Sequence, residues 1–282
     1  MKLVDAIMFN NEYDMLDIRL EIMGDHVDEI VIVECDQTHA GSFKGFNLEK
    51  QWDRYKKWHH KINYIKSENV LNNSDAWKNE YTHRDQMNLG LSHLNDEDIF
   101  IISDCDEIVR PEILEMMRKS EYDHYRIVAP VFYFKFNYVQ AIDPPIVWSK
   151  AFRGKYKNIP ASHFRYDKNP RNHRETINID NQITIPHAGW HFSWLGDVNF
   201  IKNKLTSFAH TELNTDDILN GINIDDSIAN GIDHLQRGQQ STGYRSVSFN
   251  EYFPEYLIQN KEKYKNFIIS NVDKDIYEYI PK

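Results

Sequence analysis

Cysteine is scarce in this chain: Cys35 and Cys105 are the only two in 282 residues, and they lack CxxC spacing. A secreted disulfide framework normally carries more, so both sulfurs are read as reduced thiols. Long apolar runs are also missing, with nothing near the roughly 18 residues of a membrane span. Met1-Lys2-Leu3-Val4-Asp5 meets an acid before a signal-like apolar segment develops. The expected location is cytoplasmic, with no signal peptide and no membrane anchor. Basic charge is in deficit, 33 Lys and Arg against 43 Asp and Glu, for a formal charge of −10. Nucleic-acid binding leaves a basic footprint, so no such partner is expected. A nucleotide ligand remains compatible, because a bound cation reverses the local field. Internal repeats and linker-like tracts are absent from the sequence as well.

What is present describes a folded α/β chain. A hydrophobic content of 41% with 13% aromatics suits a sizeable core. Leu3 to Phe9 reads as a strand, and Leu16, Leu20, Met23 and Val27 then recur at helical spacing. Glu29 to Cys35 is a β-branched second strand, and Ile62 to Ile65 a short third. Ser74 or Asp75 caps a helix reaching about Leu94. Ile99 to Ile102 is a fourth strand, and Pro111 suits the first turn of the helix after it. This order predicts a doubly wound, Rossmann-like half with a mostly parallel central sheet.

The second half is mixed and aromatic-rich. Tyr125 to Phe136, Val147 to Phe152 and Ile185 to Trp194 read as strands. Helices are expected near Val198 to Phe208, Asp216 to Leu235 and Pro254 to Tyr264, and a polar loop over 168–174. One continuous domain, 1–282, fits better than two.

The chemistry concentrates where Ile99-Phe100-Ile101-Ile102 runs into Ser103-Asp104-Cys105-Asp106-Glu107. An uninterrupted apolar run reads as a central parallel strand, and ligands of open α/β sheets sit beyond the carboxyl ends of such strands. Asp104 and Asp106 can both turn to one cation there. Hard oxygen donors suit Mg²⁺ or Mn²⁺, which in turn suits a diphosphate. The plain alternative is a solvated turn whose acids cap the next helix.

His187 and His191 lie four apart, so in one strand they would share a face opposite Trp190, Phe192 and Trp194. On that pattern a histidine becomes the third ligand, or the segment is an aromatic core ladder. Asn10, Asn11 and Glu12 follow the first strand, and Glu34 and Asp36 flank the end of the second. These five either contact a ribose or base in the crevice or serve as caps and turns. Arg84 lies on the helical line of Trp77, Tyr81 and Leu91, facing either a diphosphate or a nearby acid.

At four segments, in order, the sequence resembles glycosyltransferase family 17. They are Phe9 to Leu20, Val27 to Glu34, Ser103-Asp104-Cys105-Asp106-Glu107-Ile108, and Ala188-Gly189-Trp190-His191-Phe192-Ser193-Trp194. The best-known members of that family add the bisecting GlcNAc of N-glycans. The resemblance implies a GT-A fold, with 1–120 as the nucleotide-sugar-binding half and 121–282 as the acceptor-binding half with the C-terminal helices. It also implies a nucleoside-diphosphate sugar donor (UDP-sugar first), a glycan acceptor, inversion at the anomeric carbon and a divalent metal, Mn²⁺ or Mg²⁺.

On that pattern Asp104 and Asp106 form the metal-binding motif, Asp106 binding the ion directly and Asp104 facing the ribose or the ion through water. His191 sits in the matched tryptophan-rich segment and is inferred as a further ligand. Arg84 or Lys204 would add positive charge at the diphosphate, and Trp190 would stack on a sugar. The base that deprotonates the acceptor is expected at Asp197, then Glu175 or Glu212. The anchor and stem of the animal enzymes have no counterpart here, and about Val139 to Ile183 shows no match. A bacterial or viral enzyme decorating another glycan is therefore expected. A glycan- or nucleotide-binding module without catalysis, and a metal-dependent phosphohydrolase, are the competing readings.

Overall fold

The computed structural model describes residues 1–141, 146–165, 179–233 and 243–280. Its strands are β1 (Leu3–Met8), β2 (Glu29–Cys35), β3 (Ile62–Ser67), β4 (Ile99–Asp104), β5 (Glu107–Val109), β6 (His124–Ala129), β7 (Val131–Tyr133), β8 (Tyr138–Gln140), β9 (Ile146–Arg153), β10 (Gln182–Ile185), β11 (Gly189–Ser193) and β12 (Tyr244–Ser246). Its α-helices are α1 (Tyr13–Met23), α2 (Asn47–Lys50), α3 (Ala76–Asp85), α4 (Met87–Leu91), α5 (Pro111–Lys119), α6 (Ala161–Arg165), α7 (Val198–Ser207), α8 (Asp216–Gly221), α9 (Ile224–Asn230) and α10 (Glu255–Gln259).

A seven-stranded sheet runs in the order β10-β6-β9-β4-β1-β2-β3, and a five-stranded sheet in the order β12-β8-β7-β11-β5. In the larger sheet β4, β1, β2 and β3 are parallel, while β9 runs antiparallel to both β4 and β6. The fold is mixed α/β with a mostly parallel central sheet.

Strand alternation sorts the core into two layers. Leu3, Ile7, Ile30, Ile32, Ile99 and Ile101 pack with Leu16, Leu20 and Met23 of α1. Val4, Ala6, Val31, Val33, Phe100 and Ile102 point the other way, onto Met87, Leu91 and Leu94. Near-continuous apolar strands are what burial on both faces requires. The first layer continues through Trp190, Phe192 and Phe253, so one core reaches from the large sheet into the small one.

Several expectations change. The strand foreseen from Tyr125 to Phe136 is β6 in the large sheet and β7 in the small one, parted at Pro130, which has no N–H for a ladder. The helix foreseen from Asp75 to Leu94 is two helices, α3 and α4, meeting at Gln86, whose N–H is shared between the Thr82 and His83 carbonyls at 3.3 and 3.2 Å. The strand foreseen from Ile185 to Trp194 is β10 on the edge of one sheet and β11 inside the other. His187, at φ 50°, turns the chain between them. It therefore does not share a strand face with His191, and its ring lies against Tyr252 and Tyr277 instead. The helix foreseen from Asp216 breaks between α8 and α9, where the Asn223 side chain caps α9 through the Asp226 N–H. Leu235 and the polar segment 168–174 lie outside the described residues. Among the described residues no helix is long and apolar enough to cross a membrane.

Candidate active site

The carboxyl end of β4 is fixed from below by Arg19. This residue falls on the apolar stripe of α1 and is fully buried. Its Nε and Nη2 donate to Asp5 at 2.7 and 2.5 Å, and Nη2 also reaches Ser103 Oγ at 2.6 Å. Its Nη1 donates to the carbonyls of Asp104 (3.1 Å), Cys105 (3.4 Å) and Glu107 (2.6 Å). One guanidinium thus satisfies three carbonyls of the acidic turn that the ladder cannot reach. Glu107 closes the turn from above by accepting the Asp104 N–H at 3.0 Å and the Ser149 hydroxyl at 3.3 Å.

The next chain segment folds back as β5 and pairs antiparallel with β11, which sets His191 directly opposite Glu107. That register brings His191 Nε2 to 3.4 Å from one Asp106 oxygen. Lys204 of α7 sits 3.2 Å from the other. Donor atoms of Asp106, Glu107 and His191 lie within 4.8 Å of one another, and all three residues are buried. Burial works to raise the Asp106 carboxyl, but the charge of Lys204 and the His191 ring outweigh it and hold it well below the usual carboxylate range. Burial likewise pulls Lys204 down, and Asp106, Glu12 and Asp104 more than offset it, leaving the ammonium above its ordinary value.

The two aspartates have different cationic partners. Asp104 faces Arg84 of α3 at 2.9 Å, and Arg84 also meets Glu80 at 3.3 Å. Arg84 is almost fully buried. Asp104 is therefore outside the Asp106–Glu107–His191 set, although its field reaches Lys204. Two carboxylates with one imidazole form a donor set that fits Mn²⁺ better than Mg²⁺, since imidazole is the softer ligand.

The remaining expected residues fall into three groups. Asn10 and Asn11 donate their backbone N–H groups to Glu12 at 2.9 and 3.0 Å. Glu12 lines an open cleft of about 1070 Å³ together with Asn11 and Asp197. Asp197, exposed, caps α7 by accepting the Phe200 N–H at 2.8 Å. Glu34, by contrast, is fully buried, and its oxygens receive Lys44 (2.6 Å), the N–H groups of Asn47 (2.6 Å) and Leu48 (3.0 Å), and the Tyr64 hydroxyl (2.6 Å). It clasps α2 to the sheet. Asp36 is buried and holds the Asn69 N–H at 3.0 Å.

Trp190 is a core residue, its indole N–H on the Tyr252 carbonyl at 3.1 Å and Arg110 over its ring. That position corrects the expectation of a sugar-stacking ring: β11 turns Trp190 inward, and Arg110 covers it. Glu212 pairs with His210 at 2.7 Å on an exposed turn. Glu175 lies outside the described residues.

Sequence reasoning passed over Glu107 as a donor, and passed over Arg19, Ser149 and the pair His39–His83. His83 Nε2 lies 3.1 Å from the Val33 carbonyl and its Nδ1 3.1 Å from His39 Nε2. Arg19 had a legible signal, a charged residue three positions past Leu16 on an apolar stripe. The others depend on contacts between elements far apart in the chain.

The family model for glycosyltransferase family 17 matches residues 1–275. Curated proteins named beta-1,4-mannosyl-glycoprotein 4-beta-N-acetylglucosaminyltransferase are similar. The Rattus norvegicus protein is 24% identical over 304 residues, covering 96% of this chain and 55% of its own length. The Homo sapiens protein is 26% identical over 237 residues, covering 73% of this chain and 43% of its own length. The chain spans about half the length of these relatives. Among solved structures, the mannose-6-phosphate isomerase from Helicobacter pylori aligns at a TM-score of 0.30 and 12% identity, over 55% of this chain and 71% of that one. An overlap that slight bears on neither fold nor function.

Proposed function

Because this chain belongs to glycosyltransferase family 17, we propose that it moves a sugar, N-acetylglucosamine first, from a nucleoside-diphosphate donor to a glycan hydroxyl. The observation that carries this reading is the Asp106–Glu107–His191 donor set at the carboxyl edge of a parallel sheet, flanked by Lys204 and Arg84. That edge is where open α/β sheets bind nucleotides, and the acidic turn after β4 supports a GT-A assignment.

Asp106, Glu107 and His191 would hold a divalent ion, Mn²⁺ before Mg²⁺. When bound, it supplies Lewis-acid neutralisation of charge on the departing diphosphate. Arg84 and Lys204 place fixed positive charge at the same edge, where low dielectric strengthens it. Arg84 also orients Asp104, which accepts hydrogen bonds from the donor ribose. Asp197, exposed at the cleft, takes the proton of the attacking acceptor hydroxyl, and attack from the face opposite the diphosphate inverts the anomeric centre.

The 3.2 Å contact of Lys204 with Asp106 favours a second reading, in which the ammonium itself faces the diphosphate and no divalent ion is used. Chelation separates the two, because only the metal-dependent enzyme loses activity in EDTA.

The test is Asp106→Asn assayed with UDP-GlcNAc and an oligosaccharide acceptor, with and without Mn²⁺. Loss of several kcal/mol of transition-state stabilisation lowers transfer by about 10²-fold or more. Transfer by the variant at the wild-type rate, or no consumption of any nucleotide sugar by the wild type, overturns the proposal.

A further inference from the structure

The 1070 Å³ cleft lies between the β1–α1 turn, the start of α7 and the α8–α9 corner. Its chemistry differs from that of the Asp106 centre. Among the described residues, Glu12, Asp14, Asp197 and Asp225 line it against two cations, Arg54 and Lys135. Both cations are engaged: Arg54 bridges Asp14 and Asp17, and Lys135 donates to the Asn266 carbonyl at 2.6 Å. Burial also holds Lys135 below its ordinary value. An anionic ligand such as a diphosphate meets an excess of carboxylate here, whereas at Asp106 it meets Lys204 and Arg84.

The cleft also offers ring faces. Tyr13, Phe200 and Phe267 line it and are each half-buried. Gly196 allows the chain to lie against Phe200, since a Cβ there would approach the ring to 2.3 Å. Aromatic faces beside carboxylates and amides match a ligand with apolar C–H faces and many hydroxyls. The volume exceeds the usual 300–1,000 Å³ of small-molecule sites, which gives room for more than one sugar ring.

The cleft is connected to the Asp106 centre. Asp197, at the start of α7, opens into it, and Lys204 on the same helix reaches Asp106. Seven residues at 1.5 Å each separate them by about 10 Å. Glu12 lines the cleft, and its charge also acts on Lys204.

We infer that this cleft binds the acceptor, and that the acceptor is an uncharged saccharide held by ring faces and carboxylates. As an acceptor site, it rests on the transferase reading above.

An array of neutral, sialylated and sulfated oligosaccharides, probed with wild-type protein and with Phe267→Ala and Asp225→Lys, tests the inference. Asp225 is exposed, so its charge reversal leaves the fold intact even if Phe267→Ala does not. Wild-type protein should bind a subset of the neutral glycans, and each folded variant should bind them at least tenfold more weakly. Binding only to charged glycans, no glycan binding, or undiminished binding by Asp225→Lys overturns it. Mn²⁺-dependent hydrolysis of UDP-GlcNAc by the wild type, measured in parallel, tests the transferase reading by itself. Donor turnover alongside unaltered glycan binding by the variants would refute the cleft alone. Glycan binding without donor turnover would refute the acceptor role.

Discussion

Arg19 and Asp5 form a bidentate ion pair with almost no solvent access, and the same guanidinium carries the acidic turn of the site. Fork-to-carboxylate geometry satisfies both Asp5 oxygens at once. The pair therefore does two things, and they can be separated. Arg19→Met leaves a buried carboxylate unpaired, which should cost about 3–5 kcal/mol in denaturant unfolding. The double change Arg19→Met, Asp5→Leu removes both charges and should recover most of that loss, because buried pairs are often replaceable by apolar residues. Sugar transfer should not recover with it, since the carbonyls of Asp104, Cys105 and Glu107 lose their donor. A double variant with wild-type transfer would show that Arg19 does not position the turn.

If Asp106 holds a divalent cation as proposed, Lys204 competes with it for that carboxylate. At 3.2 Å the ammonium raises the electrostatic cost of placing a second positive charge on that carboxylate. Lys204→Met should bind Mn²⁺ tighter by about tenfold, or 1.4 kcal/mol, in calorimetric titration. On the proposed reading it should also lose donor affinity, because the cation that would face the diphosphate is gone. Weaker Mn²⁺ binding by this variant would contradict the arrangement.

Much of the large sheet was legible in the sequence because burial on both faces writes itself as unbroken apolar runs. Ile30-Val31-Ile32-Val33 and Ile99-Phe100-Ile101-Ile102 are strands for that reason. The break at His187 was legible only in part: Pro186 lacks a ladder N–H and marks a strand end, but nothing in His187-Ala188 announces a left-handed residue that sends the chain to another sheet. The site divides the same way. Asp106 and His191 could be nominated from local pattern, while Glu107 joins them only through the β5–β11 register. Glu34 looked like a crevice residue by position. Its burial follows from a later element, α2, whose first N–H groups needed an acceptor.

His39 and His83 make stability depend on mild acid. Val33 offers only a carbonyl, so the facing His83 Nε2 carries hydrogen, and Nδ1 accepts from His39. Burial lowers His39, and burial together with the neighbouring His39 holds His83 well below its ordinary value. Both rings thus take up a proton less readily in the folded chain than in the unfolded chain, whose histidines titrate near pH 6.5. The folded state is therefore fully stabilised above about pH 6.5 and loses up to about 1.4 kcal/mol per pH unit for each ring below it. Melting temperature should fall between pH 7 and pH 5, and His83→Asn should flatten that slope. A wild-type melt that is level across this range would refute the neutral pair.

Gly189 is the residue on which the meeting of β5 and β11 depends. A Cβ there would stand 2.2 Å from the Ile108 carbonyl oxygen, a backbone atom that cannot swing aside. Gly189→Ala must therefore push the two strands apart at the pair adjoining Trp190 and Ile108, two residues before His191 meets Glu107. The clash should cost about 1–3 kcal/mol, with the Asp106–Glu107–His191 donor set widened as a second effect. Gly41→Ala supplies the comparison. Gly41 has φ 91° but open space around its Cβ position, so it should lose about 1 kcal/mol through backbone strain alone. Thermal unfolding with and without Mn²⁺ reads both consequences. The Gly41 variant should keep the full Mn²⁺-induced rise in melting temperature, and the Gly189 variant should lose most of it. Equal rises in the two variants would mean that the strand register does not hold the donor set together.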